Sequence, residues 1–303
     1  MRTLEGLKRR IKTTNSLKGI VSGMKTLATV SLEGYSRSAA AGSAYLRNVE
    51  LALEGVLKER PASLVPPRED APQVLALIVG SDQGLVGRFN KQVVLHAFDF
   101  LSRRGIGASD ATLLAAGKSL SAKIVAEGRD IDTLFGMPGS ARMIPSVAKK
   151  IIMRLGELTG GFSRGGNSSP ADAPARVYIF HNRREGDGFK SQSTRLLPVD
   201  ERFLRSLGAR RWPSKNVPFH RAERPALLSA FVRELLFIGV YRVISESLSA
   251  EHFIRMMTMK NAEKNIGDQL DAMNLEYRTR RQAEITEELI DVVAGAEVLR
   301  GKA

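Results

Sequence analysis

The chain contains no cysteine among its 303 residues, which excludes disulfide bonds and thiolate metal sites and favours a reducing compartment. Aromatic residues make up only 6% of the sequence. Strongly basic nucleic-acid binders usually carry aromatic platforms or a recognisable reading motif, and neither is evident here. No uncharged apolar run reaches the ~20 residues of a membrane span, and we expect no export signal at the charged N-terminus.

Acidic residues are outnumbered by basic ones, and the formal net charge is +14. A charge of this size implies an acidic partner, which could be nucleic acid, an anionic lipid surface or an acidic protein surface. Near the N-terminus, Glu5 is the only acid among six basic residues: Lys8, Arg9, Arg10, Lys12, Lys18 and Lys25. Two interpretations stay open, a solvated helix face and a track for acidic groups on a partner.

Proline is absent after Pro225, and apolar residues recur at short, regular intervals through this C-terminal stretch. Between Ile266 and Tyr277, successive apolar residues are four, three and four residues apart. This spacing is typical of a helix packed against a partner helix. A single helix of ~75 residues would be roughly 110 Å long. One globular core cannot cover a helix of that length. The pattern therefore predicts an extended helix that packs against other helices or other proteins.

A second proline-free amphipathic stretch extends from Arg2 to Arg60 and predicts a helix of about 58 residues. We expect these two helices to pack antiparallel. Because the second helix is the longer one, its C-terminal tip should project without a partner. That tip is apolar, and an exposed apolar tip indicates an insertion site in another protein. Its members are Leu289, Val292, Val293 and Leu299.

Short apolar runs alternate with helical patterns in the middle of the chain, which predicts a small α/β layer domain. The expected strands are 74–79, 112–116 and 176–181, with an edge strand at 190–197. The expected helices are 87–103 and 145–159. The predicted organisation is an N-terminal coiled-coil helix (1–60), a linker (61–72), a central domain (73–210), a second linker (211–224) and a C-terminal coiled-coil helix (225–303). A flexible Gly/Ser/Pro loop is expected at 160–174.

Three motif matches are rejected. Gly117-Lys118-Ser119 resembles the end of a phosphate-binding P-loop, but Thr112 stands where that motif requires glycine. The glycines between Gly80 and Gly87 follow a strand, but their spacing differs from that of a dinucleotide loop, so a structural turn is favoured. The four histidines show no metal-ligand spacing. We therefore expect no cofactor and no metal.

Several stretches resemble the gamma subunit of the rotary F-type ATP synthase. The most specific is the Arg-Gln-Ala-x-Ile-Thr run at 281–286, within 275–289. Further matching stretches are 7–11, 81–90, 196–198 and 250–265, with Gly295-Ala296. The resemblance covers essentially the whole chain. It implies a mixed α+β and α/β fold, in which a long antiparallel two-helix coiled coil from the N- and C-terminal segments accompanies a central Rossmann-like α/β domain that binds no nucleotide.

The resemblance also implies a non-catalytic rotor shaft that couples rotation of an ion-driven c-ring to the beta-subunit catalytic sites. The partners would be the alpha/beta hexamer, epsilon and the c-ring, at the cytoplasmic face of a bacterial inner membrane, with no nucleic acid and no membrane span. Carried over by motif, four residues would meet the catch loop of beta: Arg255, Arg281, Gln282 and Thr286. Met24, with the nearby Lys25, Arg9 and Arg10, would lie near the acidic lever loop of beta. The apolar tip would rotate inside the alpha/beta hexamer.

Departures from the family pattern at Gln83, Val86, Arg88 and Arg278 indicate a divergent bacterial branch, such as a second, alternative ATPase. Two other functions stay open from the residues alone. One is a basic coiled-coil nucleic-acid binder, and the other is a nucleotide-dependent enzyme that uses the α/β domain.

Overall fold

The computed structural model describes residues 3–58, 73–107, 110–159, 175–212, 214–216 and 221–300, with the side chains of 201 and 295–300 excepted. The predicted linker 61–72 and the predicted loop 160–174 lie outside these residues. The chain divides into two units. We call Met1–Ala28 with Met256–Ala303 the helical unit, and Thr29–Arg255 the α/β unit.

Both predicted long helices are confirmed. The first, α1, spans Leu4–Lys58, and the last, α6, spans Arg224–Arg300, which is 77 residues without a break. Pro225 occupies the first turn of α6, where a missing backbone N–H costs nothing because that group would have no partner inside the helix. The uninterrupted α6 follows from the absence of proline beyond this residue.

Two contacts within the α/β unit show that α1 and α6 are antiparallel, because the earlier residue of α1 meets the later residue of α6. In the helical unit, the ammonium of Lys25 donates to the carboxylate of Glu263. In the α/β unit, the hydroxyls of Ser36 and Ser249 are 2.9 Å apart, and the hydroxyl of Tyr45 donates to Glu234 Oε1 at 2.9 Å. The predicted antiparallel helix pair is therefore confirmed.

The α/β unit contains one five-stranded sheet in the order β3-β2-β1-β4-β5. Its strands are β1 (Gln73–Val79), β2 (Ala111–Ala116), β3 (Thr133–Phe135), β4 (Ala175–Glu185) and β5 (Gly188–Leu197). The first four are mutually parallel, and β5 pairs antiparallel with β4 at the edge. The shorter helices are α2 (Phe89–Arg103), α3 (Lys118–Ala126), α4 (Ile144–Thr159) and α5 (Glu201–Ala209).

The sequence prediction missed β3, α3 and α5, and it took the strand beginning near 176 as the third when it is the fourth. It also ended that strand too early, since β4 continues to Glu185 in a hairpin with β5. The missed elements have three, nine and nine residues. Such short elements carry too few periods of an apolar pattern to be distinguished from loops.

The two faces of the sheet bury separate cores, because side chains alternate along each strand. One core packs Leu75, Leu77 and Ile179 against α4, α6 and Tyr35 of α1. The other packs Ala76, Ile78 and Phe180 against α2 and α3. Six buried residues of α6 belong to the first core: Val232, Leu236, Val240, Val243, Ile244 and Leu248.

Candidate functional site

The carboxyl ends of β1 and β2 are where an open α/β sheet would bind a nucleotide, and here the chain fills that position itself. The backbone N–H groups of Ser119 and Leu120, at the start of α3, both donate to the carbonyl of Ser81. The N–H of Lys118 donates to Asp82 Oδ1 at 2.9 Å. These are the groups that a helix N-terminus would offer to a phosphate. Gly117 leaves no room for a ligand either, since a Cβ there would lie 2.6 Å from the Ser81 carbonyl oxygen.

The crevice at the strand-order switch, between β1 and β4, is also occupied by protein groups. The side-chain amide of Asn182 donates to the carbonyl of Phe89 at 2.8 Å, and Ser191 donates to Asn182 Oδ1 at 2.6 Å. Ligands of doubly wound sheets enter at this point. The geometry therefore gives no support to a nucleotide-dependent enzyme built on this sheet.

Asp82 ties the loop after β1 to the N-terminus of α3, and its replacement tests this interpretation. Replacing Asp82 with Asn removes the negative charge from that N-terminus while preserving side-chain shape. We expect a loss of about 1–2 kcal/mol in the free energy of unfolding, measured with urea. The matched control is Asp130→Asn, since Asp130 is exposed in the same unit and should be nearly neutral. Equal losses in both variants would contradict this role of Asp82.

Arg255, predicted to contact a partner, lies inside the α/β unit. Its Nη2 donates to Glu251 Oε1 at 2.7 Å and lies 3.5 Å from the carbonyl oxygens of Gln83 and Gly84. The side chains of Arg255 and Glu251 are only 7% and 5% exposed. The contact with a partner stays a prediction, but in the isolated chain the guanidinium of Arg255 is already engaged.

Burial changes the acidity of the groups around Arg255. It raises the pKa of Glu251 to about 7, although Arg255 acts in the opposite direction. The second carboxylate oxygen of Glu251, Oε2, is buried and has no hydrogen-bond partner among the described residues, which favours the protonated form. Burial, assisted by the charge of Arg255, lowers the pKa of His252 to about 4, so this imidazole is neutral at pH 7.

Sequence reasoning had not singled out Glu251, Tyr35 or Asp82. Glu251 and Arg255 do carry a signal, because opposite charges four residues apart in a helix can pair. That spacing does not reveal burial, however, and burial is what makes this pair unusual. The hydroxyl of Tyr35 donates a hydrogen bond to the carbonyl oxygen of Pro138 at 3.0 Å, and the two residues are 103 positions apart in sequence. No local pattern could have indicated that contact.

The helical unit brings the predicted basic residues to its surface. Arg9 and Arg10 are exposed, and Met24 and Lys25 are half-buried. Lys25 is paired with Glu263 across the two helices. The buried residues of this unit include Leu7, Met259 and Leu270, consistent with the predicted seam. Arg9 and Arg10 thus form an exposed basic face of α1, whereas Lys25 lies toward α6.

The C-terminal part of α6 is exposed on every side within the described residues. Every side chain from Arg281 to Ala294 is solvent-exposed. The Thr286 hydroxyl bonds only within the helix, donating to the Gln282 carbonyl at 2.8 Å. The predicted contact residues Arg281, Gln282 and Thr286 therefore lie on a part of α6 that no described residue covers.

The predicted apolar tip is exposed as well. Leu289 is 60% exposed, Val292 70% and Val293 58%. Leu299 belongs to α6, but its side chain lies outside the described residues. The part of the tip that the structure describes is thus an apolar surface without cover from this chain, and its insertion into a partner stays a prediction.

None of the helices in the described ranges combines the length and apolar content that a bilayer crossing requires. In the same ranges, no three His, Asp or Glu side chains come together in a group that could hold a metal ion.

The fold and its surfaces define a class of protein: an α/β unit with its ligand crevice filled, inserted in the sequence between two long antiparallel helices that carry exposed polar and apolar surfaces. The family described as ATP synthase matches residues 3–299, and the chain therefore belongs to that family. The resemblance stated from the sequence is confirmed.

Curated relatives that align with the chain over nearly its full length include three ATP synthase gamma chains. The protein of Granulibacter bethesdensis is 29% identical, with 99% of this chain and 100% of the relative covered. Those of Prosthecochloris aestuarii and Staphylococcus saprophyticus are 28% and 25% identical, with the same coverage.

Solved structures share the fold. A chain in the rotor of the Euglena gracilis mitochondrial ATP synthase superposes with a TM-score of 0.60 at 16% identity, covering 93% of this chain and 98% of that one. A chain from the central stalk and c-ring of the Tetrahymena thermophila enzyme gives a TM-score of 0.52 at 17% identity, covering 80% and 99%. The predicted fold class is thereby confirmed.

Proposed function

We propose that the chain is the central rotor shaft of an F-type ATP synthase, a subunit that couples rotation to catalysis without being catalytic itself. The observation that carries this proposal is the family match over residues 3–299, together with gamma-chain relatives that align from end to end. The partners would be the alpha/beta hexamer, epsilon and the c-ring. The location would be the cytoplasmic face of a bacterial inner membrane, as part of the complex.

The exposed end of α6 supports a contact with the catalytic subunits. Arg281 and Gln282 offer a charged and a neutral donor to carboxylates of a partner, and Thr286 lies one turn further along the helix. Exposed charge pairs are worth only about 0.2–1 kcal/mol each, so such contacts can break and reform during rotation. The apolar residues beyond them make no directional bonds that would hold one angle.

The basic face of α1 supports a second contact, with an acidic loop of beta. Arg9 and Arg10 are exposed, Met24 is half-buried on the same helix, and the net charge of the chain is +14. Complementary charge accelerates association and selects the partner more than it adds affinity. We include Lys25 in this surface, although in the chain alone it is paired with Glu263.

Reconstitution tests the proposed function. The full chain, carrying an affinity tag, should co-purify with the alpha and beta subunits encoded in the same genome and should confer rotation on the complex. The control is the same alpha and beta mixture without the chain. A stable monomer with no affinity for alpha and beta would contradict the proposal.

A further inference from the structure

Two loops at the carboxyl edge of the sheet are tied to each other. Asp82, in the loop after β1, accepts a hydrogen bond from the backbone N–H of Met137 at 3.0 Å, in addition to the one from Lys118. Asn90 accepts from the N–H of Ser81 at 3.0 Å. The loop after β1 and the loop after β3 therefore form one hydrogen-bonded edge.

Each long helix is attached to this edge by a buried polar side chain. From α1, the Tyr35 hydroxyl donates to the carbonyl of Pro138, in the loop after β3. From α6, Arg255 reaches the carbonyls of Gln83 and Gly84, in the loop after β1, and Glu251 orients its guanidinium. An apolar contact reinforces the second attachment. Val86, in the same loop, packs against Ala250 and Ile254 of α6.

The two helices are also joined to each other at this level. The Tyr35 and His252 rings stack with centroids 5.0 Å apart and an interplanar angle of 27°. The paired hydroxyls of Ser36 and Ser249 lie one residue further along α1 and three residues back along α6. The contacts thus form a closed circuit from α1 to α6, from α6 to the loop after β1, and through the loop after β3 back to α1.

We propose that Tyr35, Glu251 and Arg255 form a clamp that fixes α1 and α6 to the carboxyl edge of the sheet and transmits torque between the helices and the sheet. This inference rests on the proposed rotor function. Rotation of the helices against the sheet must strain several buried hydrogen bonds together, and a buried polar group left without a partner is unfavourable. These three are positioning residues, since they act through the orientation of the helices.

The position of the clamp suits this role. Arg255 is the last residue of α6 in the α/β unit, and Tyr35 lies within the first turns of α1 in that unit. Both helices continue unbroken beyond these points. A torsional load carried along either helix therefore reaches the clamp before it reaches the rest of the sheet core.

Single-molecule rotation of the complex of this chain with alpha and beta provides the test. Because the chain has no cysteine, Lys149→Cys gives it a single thiol, on the exposed side of α4, for attachment of a bead; cysteines of alpha and beta are replaced beforehand. With the complex held on a surface through its beta subunits, the angular variance of the bead during catalytic pauses reports torsional stiffness. The rate of ATP hydrolysis is measured on the same preparations.

We expect Tyr35→Phe and Glu251→Gln each to raise the angular variance roughly two-fold with hydrolysis unchanged. The first removes a buried hydrogen bond. The second, measured at pH 8 where the Glu251 carboxyl is ionised, removes the negative charge that strengthens the bond from Arg255. The matched control is Tyr45→Phe, which removes a hydrogen bond from α1 to Glu234 of α6 but none to the loops.

Two outcomes separate the clamp from the function on which it rests. Tyr35→Phe keeps the aromatic ring and should fold, so its variance is measurable. Equal variance for Tyr35→Phe and Tyr45→Phe would overturn the clamp. Absence of rotation in the unaltered complex would overturn the proposed function instead.

Discussion

Replacing Arg281 with Glu is expected to lower ATP hydrolysis by the assembled complex about tenfold or more, because a like charge facing carboxylates across an interface costs several kcal/mol. The stability of the chain itself should change by no more than about 0.5 kcal/mol, since Arg281 is exposed on a part of α6 that no described residue covers. Steady-state hydrolysis and urea unfolding of the isolated chain measure the two effects separately.

Arg142→Glu is the matched control for this variant. Arg142 is exposed in the α/β unit, and its replacement changes the net charge by the same amount. Gln282→Leu provides a neutral test of the neighbouring contact. If Arg281→Glu and the control impair hydrolysis equally, the effect is one of overall charge, and the assigned contact is wrong.

Replacing Arg255 with Met is expected to destabilise the isolated chain by about 3–5 kcal/mol at pH 8, because it leaves the Glu251 carboxylate buried without its cation. Methionine fills a comparable volume, so a cavity contributes little. The exposed Arg142→Met is the control and should be nearly neutral. If Arg255→Met leaves the free energy of unfolding unchanged, the buried pair is not important for stability. That result would favour the partner contact of Arg255 that was predicted from the sequence.

The destabilisation should shrink as the pH falls toward 5. Burial already raises the pKa of Glu251 to about 7, and loss of Arg255 removes an opposing influence, so the folded-state pKa rises further. A carboxyl with a higher pKa in the folded than in the unfolded state contributes stability below its unfolded pKa, and that stability is lost as pH rises through the folded one. Glu251→Gln in the same chain should restore much of the loss at pH 8.

The long helices could be predicted because their signals are strong and continuous. The absence of proline after Pro225 and the apolar spacing between Ile266 and Tyr277 indicate both the type and the extent of α6. The central strands β1 and β2 are continuous apolar runs that a buried parallel sheet requires. The three-residue β3 could not be found, because it depends on pairing with β2 and not on a pattern of its own.

The clamp could not be predicted for a different reason. Tyr35, Pro138 and Arg255 are distant in sequence, and each occurs in a locally unremarkable setting. Only the folded sheet brings the loops after β1 and β3 to one edge. The predicted contacts at 281–286 were indicated by family resemblance alone, since an exposed polar turn has no physical signature that distinguishes it from any other solvated helix end.

The pairing of Lys25 with Glu263 joins residues 238 positions apart. Because Lys25 is synthesised long before Glu263, the helical unit cannot form until synthesis has passed Glu263. Until then the apolar face around Leu7 has no partner from this chain. Contacts of such high sequence separation slow folding and expose the chain to aggregation, so assembly of this subunit should depend on chaperones or early subunit capture during synthesis.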